Sequence, residues 1–104
     1  MREKEIQYTI IQYLEYQKNL YFIRTNSFAG SFLRRNGSAG YIKNNKAGCP
    51  DIIVLKNGRF IGLEVKTDKG KQSDLQKEAE KQIKNSGGEY YIIRRLEDVL
   101  DIFK

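Results

Sequence analysis

Near the start of the chain, Ile6, Ile10, Tyr13 and Leu14 recur at three- and four-residue intervals, and Gln17 continues the row. That spacing places them on one face and predicts an amphipathic helix from residue 2 to about residue 18. Leu20 to Thr25 is short and rich in aromatic and β-branched residues, as a strand requires. From Asn26 to Gly48 the periodicity fades among Gly30, Gly37, Gly40 and Gly48, an irregular stretch with room for short strands. Two apolar runs follow, Asp51–Leu55 and Phe60–Lys66, around Lys56-Asn57-Gly58-Arg59. Asn-Gly in that setting is a strong signal for a two-residue hairpin turn. A polar turn at 68–71 leads to a helix from Ser73 to about Asn85, with Leu75, Ala79 and Ile83 inward and Gln82 beside them, stopped by Ser86-Gly87-Gly88. A strand at Tyr90–Ile93, with one of its two tyrosines in the core, and a short helix at Leu96–Phe103 complete the order. The result is an α/β fold, a mixed sheet flanked by helices.

The hairpin turn sets a register. With Asn57 and Gly58 as the loop, Lys56 pairs with Arg59, Leu55 with Phe60, Ile53 with Gly62 and Asp51 with Glu64. Directly opposed residues have Cβ atoms roughly 4.5–5.5 Å apart, so two carboxylates stand side by side. Lys66, two residues beyond Glu64, shares their face. The other face collects Ile52, Val54, Ile61, Leu63 and Val65, an apolar surface for a helix to cover. Opposed like charges destabilise a sheet. A divalent cation between them removes the conflict, and Mg²⁺ is commonly held by one or two carboxylates with water and phosphate completing its shell. Gly62 is expected to leave this face open to the close approach of a backbone or ligand. The competing reading is a solvated hairpin edge on which Lys66 neutralises one acid.

Composition narrows the chemistry. The 104 residues suit one domain spanning 1–104, and a core this small gains from burial against a second copy. A net charge of +6, from 19 Lys and Arg against 13 Asp and Glu, favours a polyanionic partner, although a solvated basic face is the alternative. With no histidine, Ser-His-Asp and Cys-His catalysis are excluded, and hydrolysis must rest on carboxylates, lysine or an oxygen-ligated metal. One cysteine, Cys49, excludes an internal disulfide and a cysteine-rich zinc site. No apolar run is long enough to span a membrane, and Met1-Arg2-Glu3-Lys4-Glu5 lacks the apolar stretch of a secretory signal, so a cytoplasmic location is expected.

Pro50-Asp51, followed after twelve residues by Glu64-Val65-Lys66, resembles the PD-(D/E)xK nuclease signature. The likeness widens to Gly48-Cys49-Pro50-Asp51, the hairpin, Gly70, Ser73, Gln76 and Gly87-Gly88. This longer pattern resembles the VRR-Nuc (virus-type replication-repair nuclease) domain in its short stand-alone phage or prophage form, least clearly between Ser27 and Lys46.

The resemblance implies a restriction-endonuclease-like core and Mg²⁺- or Mn²⁺-dependent hydrolysis of DNA. It implies that Asp51 and Glu64 ligate the metal with the backbone carbonyl of Val65, and that Lys66 activates water and stabilises phosphate charge. A glutamine stands where Gln76 does, to orient water or phosphate, unless Gln76 is simply a surface residue. The family also brings an acid from its first helix. Glu3, three residues before Ile6 and seven before Ile10, continues the inward face, whereas Glu5 is turned roughly 100° from Ile6. The pattern Glu-x-x-Ile-Gln, here Glu3 to Gln7, also favours Glu3, with a helix N-terminal acid as the alternative. Lys69 and Lys71 flank the site, and Arg34, Arg35, Lys43 and Lys46 crowd the irregular stretch; all six are candidates for phosphate contact. The stand-alone forms resemble junction-resolving enzymes, so the resemblance implies a homodimer acting on branched DNA such as four-way junctions. A nicking or restriction-type endonuclease on duplex DNA, or a non-catalytic basic binding module, are the alternatives.

Overall fold

A computed structural model describes residues 1–25, 30–33, 35–42 and 47–103. Helix α1 (Glu3–Glu15) is followed by strand β1 (Leu20–Arg24), a hairpin of β2 (Gly30–Leu33) and β3 (Ala39–Ile42), and a second hairpin of β4 (Ile52–Lys56) and β5 (Arg59–Val65). Helix α2 (Asp74–Asn85), strand β6 (Glu89–Ile93) and helix α3 (Leu96–Ile102) complete the chain. The main sheet has the order β1-β4-β5-β6, with β1, β4 and β5 antiparallel and β6 parallel to β5. Among the described residues, strands β2 and β3 pair only with each other, as a separate two-stranded sheet. The glycine-rich stretch therefore holds a hairpin that hydrophobic alternation does not announce.

The two faces of the main sheet differ as the alternation demands. Ile52, Val54, Ile61, Leu63 and Val65 are fully buried beneath Ile6, Ile10 and Leu14 of α1 and Val99 of α3. Burying each such aliphatic side chain contributes roughly 1.5–3 kcal/mol, so this layer is the main source of stability. Tyr90 is the tyrosine of β6 that is buried, and Tyr91 is half-buried against the α1–α3 side. The aromatic residues near the start of the chain divide: Tyr13 and Phe22 pack on the core, while Tyr8, Tyr16 and Tyr21 remain exposed.

Helix α2 lies over the opposite face and departs from the expected orientation. Leu75 is 59% exposed rather than inward. The side turned to the sheet consists of Gln76, Ala79, Glu80 and Ile83, at the three-and-four spacing of one helical stripe. Leu75 is rotated about 100° from Gln76 and cannot share that stripe. Two of its four positions are polar because they have partners there: Gln76 donates to Glu64 of β5, and Glu80 accepts from Gln72 of the preceding loop, which also donates to the Tyr90 hydroxyl.

Candidate active site

The β4–β5 hairpin turns through Asn57 (φ 51°) and Gly58 (φ 76°), both left-handed, as a two-residue type I′ turn needs. Its register matches the expected one: Lys56 opposes Arg59, Leu55 Phe60, Ile53 Gly62 and Ile52 Leu63. Asp51, one residue before β4, consequently stands opposite Glu64.

Asp51 is held from two sides. Its carbonyl accepts the Thr25 N–H at 3.0 Å, and the buried Thr25 hydroxyl donates to the carbonyls of Pro50 and Asp51. Its carboxylate Oδ2 accepts the Val65 N–H at 2.8 Å, replacing a ladder bond across to β5. Pro50 is fully buried and its ring lies over Gly62, where an added Cβ would sit 2.6 Å from Pro50 Cγ. Gly62 therefore does not open the face to a ligand. It makes room for the proline that steers Asp51 into place.

Glu64 is 1% exposed. Its Oε2 accepts from Gln76 Nε2 at 3.0 Å, while Oε1 is buried with no hydrogen-bond partner. Burial first, then the adjoining Asp51 carboxylate, push its carboxyl up to about 9; Glu3 adds to the rise and Lys66 opposes it. Two acids so placed cannot both carry charge without a cation between them. An orphaned buried carboxylate oxygen beside a second carboxylate suits a hard divalent ion with oxygen ligands.

Gln76 is fixed by two roles at once. It closes the start of α2 with Ser73: the Ser73 N–H donates to Gln76 Oε1 at 2.9 Å, and the Gln76 N–H donates to Ser73 Oγ at 3.2 Å. That capping box leaves its Nε2 pointed at Glu64. The first turn of α2 can approach because Gly48, at φ 79°, has no side chain; an added Cβ would lie 2.8 Å from the Gln76 nitrogen.

The two acids of α1 separate. Glu5 binds back to the Arg2 backbone and guanidinium, both at 3.2 Å, and faces solvent. Glu3 is exposed too, but it lies one turn before the buried Gln7 and acts electrostatically on Glu64. Among the described residues, no three acids gather closely enough to ligate one ion by themselves. Lys66 is half-buried at the end of β5, and Lys69 and Lys71 are exposed on the following turn. Arg35 is exposed in the turn between β2 and β3; Arg34, Lys43 and Lys46 lie outside the described residues. The structural role of Thr25 carries no sequence signal of its own, since it acts through a partner distant in the chain; Gly48 falls in the motif-like run before Asp51, which does not announce its approach to α2.

No protein-family model and no curated protein sequence matches the chain. A solved structure described as a VRR_NUC domain protein does, with a TM-score of 0.66 over 99% of this chain and 85% of that one, at 20% identity. The chain has the VRR-Nuc fold.

Proposed function

We propose that this chain is a divalent-metal-dependent DNA endonuclease that hydrolyses phosphodiester bonds at Asp51, Glu64 and Lys66. Glu64 carries the reading: a buried carboxylate with one oxygen unsatisfied, against a second carboxylate, with a lysine two residues along the same strand. Packing alone does not account for such a set, because a buried acid with an unsatisfied oxygen costs a fold about 1–3 kcal/mol even when neutral, and more when charged. Asp51, Glu64 and the Val65 carbonyl would hold Mg²⁺ or Mn²⁺, and Glu3, exposed on α1, would have to swing in to join them. Such an ion, when bound, acts as a Lewis acid and lowers the pKa of water at neutral pH, which suits a site without histidine. Lys66 orients the attacking water and stabilises charge on the phosphate. Gln76 holds Glu64 Oε2, so that the carboxyl keeps one orientation.

The basic surplus supports a DNA substrate, with Arg35, Lys69 and Lys71, and Arg34, Lys43 and Lys46 beyond the described residues, contacting phosphates. The substrate we favour is branched DNA such as a four-way junction, cut by a homodimer with paired sites in the bacterial cytoplasm where phage or prophage DNA is processed. The small core and the exposed Tyr8, Tyr16 and Tyr21 agree with a second copy.

The test is cleavage of labelled linear, nicked, flap and four-way DNA with Mg²⁺, Mn²⁺ or EDTA. Cleavage should need the metal and favour the four-way substrate. Asp51→Ala and Glu64→Ala should each abolish it while DNA binding persists or tightens, since each removes an acid from the phosphate path. Near-normal cleavage by either variant overturns the site. Binding without cleavage of any substrate leaves a non-catalytic binding module.

A further inference from the structure

The lysine of this site leaves β5 under two constraints. Its backbone N–H donates to the Ile93 carbonyl at 2.9 Å, and the chain then turns back over Thr67–Gly70, closed by a Gly70 N–H to Thr67 carbonyl bond of 3.0 Å. The turn rests on the lysine stem: a Cβ added at Gly70 would lie 3.3 Å from Lys66 Cδ. Wherever the turn sits, it limits where that side chain can go. Asp68 and Lys69 at its tip are exposed, so burial of the turn's own side chains does not hold it.

Two consecutive arginines of the β6–α3 connection reach it. Arg94 Nη1 donates to the carbonyls at both ends of the turn, those of Thr67 and Gly70, the latter at 3.0 Å. The Arg94 N–H donates in turn to Asp98 Oδ2 of α3 at 2.9 Å. These bonds are part-buried and carry a charged donor, the stronger class of hydrogen bond. Arg95 bonds Asp68 Oδ1 at 2.6 Å, but that pair is 53% and 76% exposed and so contributes little.

We infer that Arg94 is a positioning residue for Lys66: it fastens the Thr67–Gly70 turn to the β6–α3 connection and thereby confines the lysine side chain. The inference rests on the nuclease reading for the role of Lys66, but the clamp itself can be measured without any activity. Misplacing a reacting group by about 1 Å can slow a reaction roughly 10²-fold. Arg94→Ala should therefore lower the single-turnover cleavage rate by about 10- to 100-fold with little change in DNA affinity. Arg95→Ala, an internal control on the same turn, should stay within about twofold, in keeping with the small worth of exposed pairs. Both Arg94 bonds come from one nitrogen, so Arg94→Lys, with three ammonium donors, should recover part of the rate. In parallel, NMR hydrogen exchange at the Gly70 amide should speed up in Arg94→Ala and not in Arg95→Ala. If Arg94→Ala folds poorly, the Lys variant and the exchange measurement carry the comparison. An Arg94→Ala protein with wild-type rate and wild-type Gly70 exchange overturns the inference, as does equal slowing by Arg95→Ala. A wild-type protein that cleaves no DNA defeats the nuclease reading instead, while exchange at Gly70 still decides whether Arg94 clamps the turn.

Discussion

Replacing Gly48 with alanine strikes the point where the Pro50–Asp51 segment and helix α2 meet. Gly48 has φ 79°, a left-handed conformation that disfavours any Cβ by about 1–2 kcal/mol. The new atom would also lie 2.5 Å from the Leu75 carbonyl carbon and 2.8 Å from the Gln76 nitrogen, both backbone atoms that cannot rotate away. Relieving that crowding means displacing the first turn of α2 by something near an ångström, an overpacking effect of about 1–3 kcal/mol. The total, roughly 2–5 kcal/mol, should lower the melting temperature by roughly 10 °C or more in a domain of this size. Gly58→Ala separates the two contributions, because Gly58 has φ 76° but nothing within 4 Å of an added Cβ. That variant should show the left-handed cost of about 1–2 kcal/mol and nothing more. Displacement of α2 also moves Gln76 from Glu64, so Gly48→Ala should reduce the cleavage rate beyond its effect on folding, whereas Gly58→Ala should leave the rate of the folded protein unchanged. Urea titration of both variants, with single-turnover cleavage at a temperature where each is folded, reads out both effects. Equal destabilisation by the two alanines would refute the close approach of Gly48 to α2.

Two further outcomes are expected. Glu3→Gln should reduce cleavage by roughly 10–100-fold, the range seen when groups around a metal centre are altered. Glu5→Gln should cost only a little helix stability through its lost bonds to Arg2, and the reverse ranking in a metal titration of the two variants would place the wrong acid at the site. Glu89, gripped by Arg59 at 2.7 and 2.8 Å and by the Tyr91 hydroxyl at 2.7 Å, is held down to about 2 chiefly by the Arg59 hydrogen bonds and then by Tyr91. Because its folded value is depressed, the stabilisation is complete above the ordinary carboxylate value and is lost as pH falls toward 2, so the gap between wild type and Glu89→Gln in urea unfolding should shrink to about two-fifths at pH 3. A gap that is the same at pH 7 and pH 3 would show that the carboxylate contributes shape rather than charge.

What a one-dimensional pattern can convey depends on whether the cause lies nearby in the chain. Asn57-Gly58 is a local cause with long reach. Its left-handed turn admits one register, and the register places Asp51 opposite Glu64, Lys66 on their face and five aliphatic side chains on the other. The order of helices and main-sheet strands along the chain follows from similarly local signals. The β2–β3 hairpin escapes them because its glycine-rich run has no alternation to read. The orientation of α2 escapes for a different reason. Hydrophobicity favours Leu75 as the inward residue, but the helix start is decided by a capping box whose glutamine is also the partner of a buried acid on the sheet.

That last conflict bears on the site itself. A fold selected for stability alone would turn Leu75 inward and leave Gln76 in water, and would neither place Asp51 beside Glu64 nor bury Glu64 with one oxygen unsatisfied. Local preference and observed structure disagree at this cluster, and again at the buried Gln7 of α1, whose Oε1 has no hydrogen-bond partner, while they agree in the aliphatic layer between α1, α3 and the sheet, and such disagreements mark functional or strained positions. Three separate devices maintain it: the Pro50 ring over Gly62, the Thr25 bonds to the Pro50 and Asp51 carbonyls, and the approach of α2 over Gly48. Each holds backbone rather than filling the core, and together they bring the segment before β4, the end of β5 and the start of α2 to one point. The stable layer on the far side of the sheet is what allows a destabilising pair of acids to persist there.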